Sequence, residues 1–403
     1  MSDDTKPRAR RLGIPFDGTT GPLNAIADVQ GVCVGHRTEI ANQITNTGVT
    51  AILPLGNDGK NGIGSGIDTF VLGDWFPLNG CGEMTGTTWI DESGFVEGPI
   101  MLTNTASVGT VRDAVISYSI RQQLRSGQSE QAIDPDTEFS LLLPIIAETY
   151  DGWLNDILGF HVSATMVNNA IDGAQSTNVD EGNVGGGAGM TCYDWKGGIG
   201  TSSRVVDIFG TKPNGAPVKI GTHTVGVLVQ ANQGKYWDLM IRGVPVGRDK
   251  DFKNPPQSPD QPPGSRSRRG RKSSIIVVIA TNAPLAPHQL KRMARRAALG
   301  IARTGTITNI DSGEISIAFS TANPDATVGD KPAPMVMIPN DSMDPLLGAV
   351  VEATEEATIN ALVGAQTLTG RGGMHTATAI TDMTHPSLVD IMKKYNRWVQ
   401  PAR

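Results

Sequence analysis

Cysteine is scarce. Three residues, Cys33, Cys81 and Cys192, are too few and too scattered for a disulfide framework or a zinc site. That scarcity suits a reducing, cytoplasmic compartment. No apolar run approaches the roughly 18 residues of a membrane span. The opening "MSDDTKPRARRLGIPFDG" has charges but no apolar stretch of the signal-peptide kind. Positive charge is also short. Lys and Arg number 34 against 40 Asp and Glu, a net charge of −6, so no global basic field recruits nucleic acid. The six histidines (His36, His161, His223, His288, His375, His385) show no metal-ligand spacing, and no cofactor is expected. No GxSxG turn is present, so a hydrolase built on that elbow lacks its signature. Internal repeats are missing too.

Glycine, by contrast, is abundant, at 48 residues, while aromatics make up 5%. That balance favours tight turns and close backbone approaches over long helices. "GVCVGH", "GVTAILPLG" and "HTVGVLVQAN" read as strands, the last stopped by Asn232 and Gly234. "SVGTVRDAVISYSIRQQL" reads as a helix with Val108, Val111, Val115 and Ile116 on one face. "LLLPIIAETYDGWLNDI" is an apolar run meeting a polar turn. "APLAPHQLKRMARRAALGIARTG" is a second helix, carrying Leu290, Met293, Ala294, Ala297, Ala298 and Ile301 on its apolar face. Lys291, Arg292, Arg295 and Arg296 form its wet side. "EISIAFS" alternates, with Ile315, Ile317 and Phe319 on one side and Glu314, Ser316 and Ser320 on the other. Asp344 and Pro345 form an N-cap and N1 pair opening "PLLGAVVEATEEATINALVG". "PSLVDIMKKYN" closes the chain as a short helix. Strands and helices mix without regular βαβ alternation, which points to a layered α+β sandwich, read as a single domain over 1–403.

One composition change is abrupt. From about 250 to 272 the chain is Pro, Ser, Asp, Arg and Lys, including the cluster Arg266, Arg268, Arg269, Arg271 and Lys272. Such a segment buries too little apolar area to offset its ordering entropy, so 253–272 reads as a mobile linker. The apolar run "IIVVIA" follows at once, and Ser273 and Ser274 stand at the junction. The plain reading is that serines end a linker. A chemical reading is also open. A cut at the junction makes a serine the new N-terminus. Its α-amine, with a reference pKa of about 7.7–8.0, is then a built-in general base for the serine's own hydroxyl. Ser312 and Glu314, two apart on a strand, project from one face and are able to polarise a third group. "GNVGGGAGM", Gly182 to Met190, lacks both dinucleotide and phosphate-loop spacing and reads as a close backbone approach.

These residues resemble the self-processing aminopeptidases of the D-aminopeptidase, L-aminopeptidase–D-esterase and β-peptidyl aminopeptidase group. "GPLNAIADVQGVCVGH", "NGCGEMTGTTWIDESGFVEGPIMLTNTASVG", "AETYDGWLNDI", "EGNVGGGAGM", "KGGIGTSSRV", "HTVGVLVQAN", "SIIVVIATNAPLAPHQLKRMARRAALGIARTG" and "SGEISIAF" carry the resemblance nearly end to end, with 253–272 outside it. It implies an αββα four-layer sandwich like that of N-terminal-nucleophile hydrolases, with different connectivity. It implies self-cleavage into an α chain, 1–273, and a β chain, 274–403. It also implies homo-oligomers, usually tetramers of αβ units, and release of N-terminal amino acids from short peptides, amides or esters. Carried over by motif, Ser274 matches the nucleophile, and Ser312 and Glu314 match the residues that orient it and relay protons. Asn232 matches an oxyanion-hole side chain, and Tyr150 a tyrosine that assists there. Glu148 is a candidate for the substrate's α-ammonium, which a buried carboxylate suits. Ser273 stands where the group generally has glycine, so cleavage is expected to be slowed, conditional, or displaced to the Lys272–Ser273 bond. Two rivals are a self-processing acyltransferase of the ornithine acetyltransferase type and an uncleaved, non-catalytic scaffold.

Overall fold

The structure, a computed structural model, describes residues 7–56, 70–125, 143–252, 272–327, 332–384 and 386–401. The linker expected at 253–272 therefore lies outside the described residues except for Lys272, as do His385 and the arginines of the basic cluster.

Ten strands make the two main sheets. In chain order they are β1 (Cys33–Ala41), β2 (Thr45–Leu53), β3 (Phe70–Gly80), β4 (Phe95–Glu97) and β5 (Ile100–Asn104). There follow β6 (Ile145–Thr149), β7 (Gly198–Thr211), β8 (Pro217–Asn232), β9 (Ser273–Thr281) and β10 (Ser312–Ser320). The helices are α1 (Thr87–Ser93), α2 (Val108–Arg125), α3 (Ala164–Asp172), α4 (Pro287–Arg303), α5 (Asp344–Val363) and α6 (Leu388–Lys394). One sheet has four strands, ordered β1-β2-β5-β6. The other has six, ordered β4-β3-β10-β9-β8-β7. Only β5–β6 and β9–β10 pair in parallel within these sheets.

Three apolar layers hold four structural layers together. Helices α2 and α3 pack on the small sheet through Val111, Val115, Val167 and Ala170 against Val49, Ala51 and Ile146. Ile52, Leu102 and Ala147 of the small sheet meet Leu228, Ile276, Val278, Ile315 and Ile317 of the large one. Helices α4 and α5 cover the far face through Leu290, Met293, Ala297 and Val350. This is the αββα sandwich that the resemblance implied. The run at β9 follows from its place: Ile275, Val277 and Ile279 enter one core while Ile276, Val278 and Ala280 enter the other. A strand buried on both faces has no polar alternation to show.

β10 has the expected two sides, and both are buried. Its hydroxyl side faces α4 and the segment leading into it, where Ser316 Oγ donates to Ala294 O (2.8 Å) and Ser320 Oγ to Ala283 O (2.6 Å). Helix α5 begins one residue earlier than the sequence indicated. Met343 is its N-cap and Asp344 is already helical, so the Asp344 carboxylate sits in the first turn beside unpaired N–H groups. The run Gly185–Gly187 is a buried 3₁₀ turn. A Cβ on Gly186 would stand 2.7 Å from Leu102 O, so the close approach read from the sequence is present.

Candidate active site

The site is built where β8, β9 and β10 end together. In register Asn232 faces Ser274 across the β8–β9 pair, and Ser274 faces Gly313 across the parallel β9–β10 pair. Ser274 is buried, at 4% exposure. Its hydroxyl donates to Ser273 O at 2.5 Å and accepts from Gly313 N at 3.2 Å. The hydroxyl thus lies against the carbonyl of the peptide that precedes it. Gly313 is tightly enclosed: a Cβ there would meet Cys81 O at 2.6 Å and Gly82 Cα at 2.8 Å. Only glycine lets the loop after β3 close over this amide.

Asn232 is held at both ends of its amide. Thr191 N donates to Oδ1 (2.8 Å), and Nδ2 donates to Tyr150 O (2.9 Å) and, more weakly, to Lys272 O (3.4 Å). The donor face of Asn232 therefore points to the main chain just before Ser273. The Tyr150 ring lies under the Lys272 ammonium, 5.5 Å from the ring centroid. Its hydroxyl is turned towards Gly152, where an added Cβ would stand 2.5 Å from it.

Ser312 and Glu314 form a pair, with Ser312 Oγ donating to Glu314 Oε1. Burial pushes the Glu314 carboxyl above its ordinary range, against hydrogen bonds from Ser312 and Asn79 that lower it. Alternation separates this pair from the nucleophile. Ser274 shares a face with Ile276, which packs between the sheets, whereas Glu314 pairs with Ile275, which packs towards the helices. Among the described residues no side-chain hydrogen bond joins the Ser312–Glu314 pair to Ser274 in the intact chain.

Glu148, on β6, is buried. Its Oε1 accepts from Glu83 N (3.2 Å), and its Oε2 accepts from Thr105 Oγ1. Burial raises its pKa, and the attraction of Lys272 opposes the rise. A Cβ on Gly82 would lie 3.6 Å from Glu148 Oε1 and 3.3 Å from Gly313 Cα, so the carboxylate is one backbone thickness from the Ser274 end of the sheet. Ser273 lies in regular strand with no left-handed φ, so serine here needs no backbone conformation reserved for glycine.

Sequence reasoning did not single out Gly313, Thr191 or Thr105. Gly313 was within reach as the middle of "SGEI". The others depend on long-range packing and leave no local signal. Among the described residues no group of three or more His, Cys, Asp or Glu side chains could hold a metal ion. No helix in the same set is long and apolar enough to cross a membrane.

The four layers define the class first: a hydrolase architecture of the N-terminal-nucleophile type. The structure of L-aminopeptidase D-Ala-esterase/amidase from Ochrobactrum anthropi, described as a prototype for the serine aminopeptidases and a new variant among the Ntn hydrolase fold, superposes with a TM-score of 0.80 at 39% identity. The match covers 98% of this chain and 100% of that one. A Burkholderia sp. β-aminopeptidase superposes with a TM-score of 0.76, also at 39% identity, over 98% and 100% of the two chains. β-Peptidyl aminopeptidase BapA of Sphingosinicella microcystinivorans is 43% identical over 403 residues, 97% of this chain and 93% of that protein. The model of peptidase family S58 matches residues 24–376, and the chain belongs to that family. It is a hydrolase, and these relatives are aminopeptidases.

Proposed function

We propose that the chain is a self-processing serine aminopeptidase that releases N-terminal amino acids from short peptides, amides or esters. The observation that carries this reading is the 2.5 Å contact between Ser274 Oγ and the carbonyl oxygen of Ser273, with Gly313 N behind the hydroxyl. In the precursor Ser274 Oγ attacks the Ser273 carbonyl carbon. An ester bond forms, the 273–274 C–N bond breaks, and the hydroxyl proton passes to the departing amine. Water then hydrolyses the ester and restores the hydroxyl. The products are an α chain ending at Ser273 and a β chain starting at Ser274.

In the mature enzyme the free amine of Ser274 takes the hydroxyl proton as Oγ attacks the substrate carbonyl. Departure of the Lys272–Ser273 end releases the Asn232 Nδ2 that had bonded Lys272 O, and that donor then serves the oxyanion. Such a donor contributes roughly 2.7–4 kcal/mol. Tyr150 assists beside it. Ser312 and Glu314 hold the amine and relay its proton, and the leaving amine departs with one. Glu148 takes the substrate's α-ammonium. Its burial and its two hydrogen bonds to neighbouring groups hold it still for that cation. The same reading takes the enzyme as cytoplasmic, in keeping with the scarcity of cysteine, and as a tetramer of αβ units.

Ser274→Ala tests the reading. The variant is expected to stay a single chain and to show no hydrolysis above background. Normal cleavage in that variant would remove Ser274 from the mechanism. Product analysis with an added amine separates hydrolysis from the acyltransferase alternative, because transfer would give an acylated amine in place of the free amino acid.

A further inference from the structure

Lys196 is fully buried, and among the described residues it has no carboxylate partner. Its Nζ donates instead to two backbone carbonyls, Gly197 O at 2.7 Å and Gly187 O at 3.2 Å. A buried ammonium with only neutral partners is costly, and a methionine would fill similar space without that cost. What the lysine gains is a bridge. Gly187 and Gly197 are the two ends of an excursion of the chain, and Lys196 ties them together across its base.

That excursion carries a small hairpin with Thr191 opposite Lys196 and Cys192 opposite Trp195. The two residues at its tip, Tyr193 and Asp194, both have positive φ, at 50° and 62°. Two left-handed residues are what a tight type I′ hairpin demands, and neither is glycine or asparagine. The strained turn is therefore held by its surroundings. Tyr193 N donates to Gln233 O (2.7 Å), Gly197 N donates to Met190 O (3.0 Å), and the Tyr193 hydroxyl meets Thr304 Oγ1 at 2.7 Å. The output of this clamped element is one bond, Thr191 N to Asn232 Oδ1. That bond, with the one from Nδ2 to Tyr150 O, fixes which way the Asn232 amide faces. With Oδ1 occupied by an N–H donor, Nδ2 is turned towards the Ser273–Ser274 end.

We propose that Lys196 is a positioning residue for the oxyanion donor. It acts through the Gly187–Gly197 clamp and Thr191 N to hold the Asn232 amide in its donating orientation. The inference rests on the Asn232 role proposed above. Loss of the clamp lets the hairpin relax, Thr191 N withdraws, and the amide of Asn232 keeps only the bonds of its Nδ2, to Tyr150 O and Lys272 O.

The test is a double-mutant cycle on processed protein, with Lys196→Met, Asn232→Ala and the pair assayed on one aminoacyl amide. K196M is expected to lower kcat about tenfold with KM within about twofold, since the bond it protects serves the transition state. In the N232A background the same change is expected to cost less than about twofold, because the residue it positions is gone. A tenfold loss in both backgrounds would overturn the proposal and leave Lys196 a purely structural residue. If N232A itself costs nothing, the Asn232 reading fails, and that outcome is distinct from the first. Lys196→Gln, which keeps a donor, is run in parallel and is expected to recover part of the lost kcat. If neither variant yields a folded chain by its melting transition, the lysine serves stability alone and the proposal is overturned.

Discussion

The two faces of the large sheet differ at its site end. Towards the small sheet, Ser274, Asn232 and the Gly313 amide are already in mutual contact or on adjoining register positions in the intact chain. Towards α4, the side chains of Ser312 and Glu314 are bonded to each other and make no hydrogen bond to Ser274 among the described residues. The attacking half is assembled in the precursor, and the proton-relay half waits across the sheet. One group can join them. The backbone nitrogen of Ser274 lies in the sheet between the faces, and cleavage turns it from an amide into an amine free to reach either. The chemistry of self-processing is then also the step that completes the enzyme.

The comparison can be broken by variants on either face. After Ser274→Ala, the largest expected effect is that of Asn232→Ala. It should slow hydrolysis by about 10²–10³, the usual cost of an oxyanion donor, and self-cleavage far less, because in the precursor Nδ2 is engaged by Tyr150 O and Lys272 O. Precursor conversion on gels and steady-state assays of matured protein measure the two rates. Glu314→Gln should lower hydrolysis by about 10² and affect conversion far less, since it serves the freed amine. Equal losses of both rates would mean that the two faces already work together before the cut. Ser273→Gly should change conversion by less than about tenfold, because Ser273 needs no left-handed φ. A much larger acceleration would show strain that the intact strand does not display.

The smallest effect on activity is expected at Asp151. Burial raises its carboxyl to about 7 from an ordinary 3.8, against hydrogen bonds that lower it, Thr47 and Asn155 foremost. Between those values the folded chain binds more protons than the unfolded one, so this group makes stability fall as pH rises from about 4 to about 7. Asp151→Asn should flatten that slope, and melting temperatures taken across the window would show it. An unchanged slope would mean that Asp151 is charged in the folded chain throughout.

Much of this was legible in the chain. The composition edge before Ser273 and the continuous apolar run of β9 located the junction, and the period of "LKRMARRAALGIA" gave α4. The acidic positions of α5 were not legible. "VEATEEATIN" carries three glutamates, and Glu355 and Glu356 are buried and paired with Arg242, Arg204 and Arg10 from distant segments. No local pattern announces partners so far away in the chain. β7 was missed for a related reason, because its Ser202, Ser203 and Arg204 are polar residues buried by tertiary bonds. At the site, the junction and the strand alternation pointed to Ser274, Ser312 and Glu314, and matching blocks gave these their roles and added Asn232, Tyr150 and Glu148. The opposed faces required the register.

The most direct test is the intact mass of freshly purified protein together with the N-terminal sequence of any smaller chain. The account requires two chains, with the smaller beginning at Ser274. A single full-length chain that hydrolyses aminoacyl amides, or a smaller chain beginning at Ser273, would contradict it.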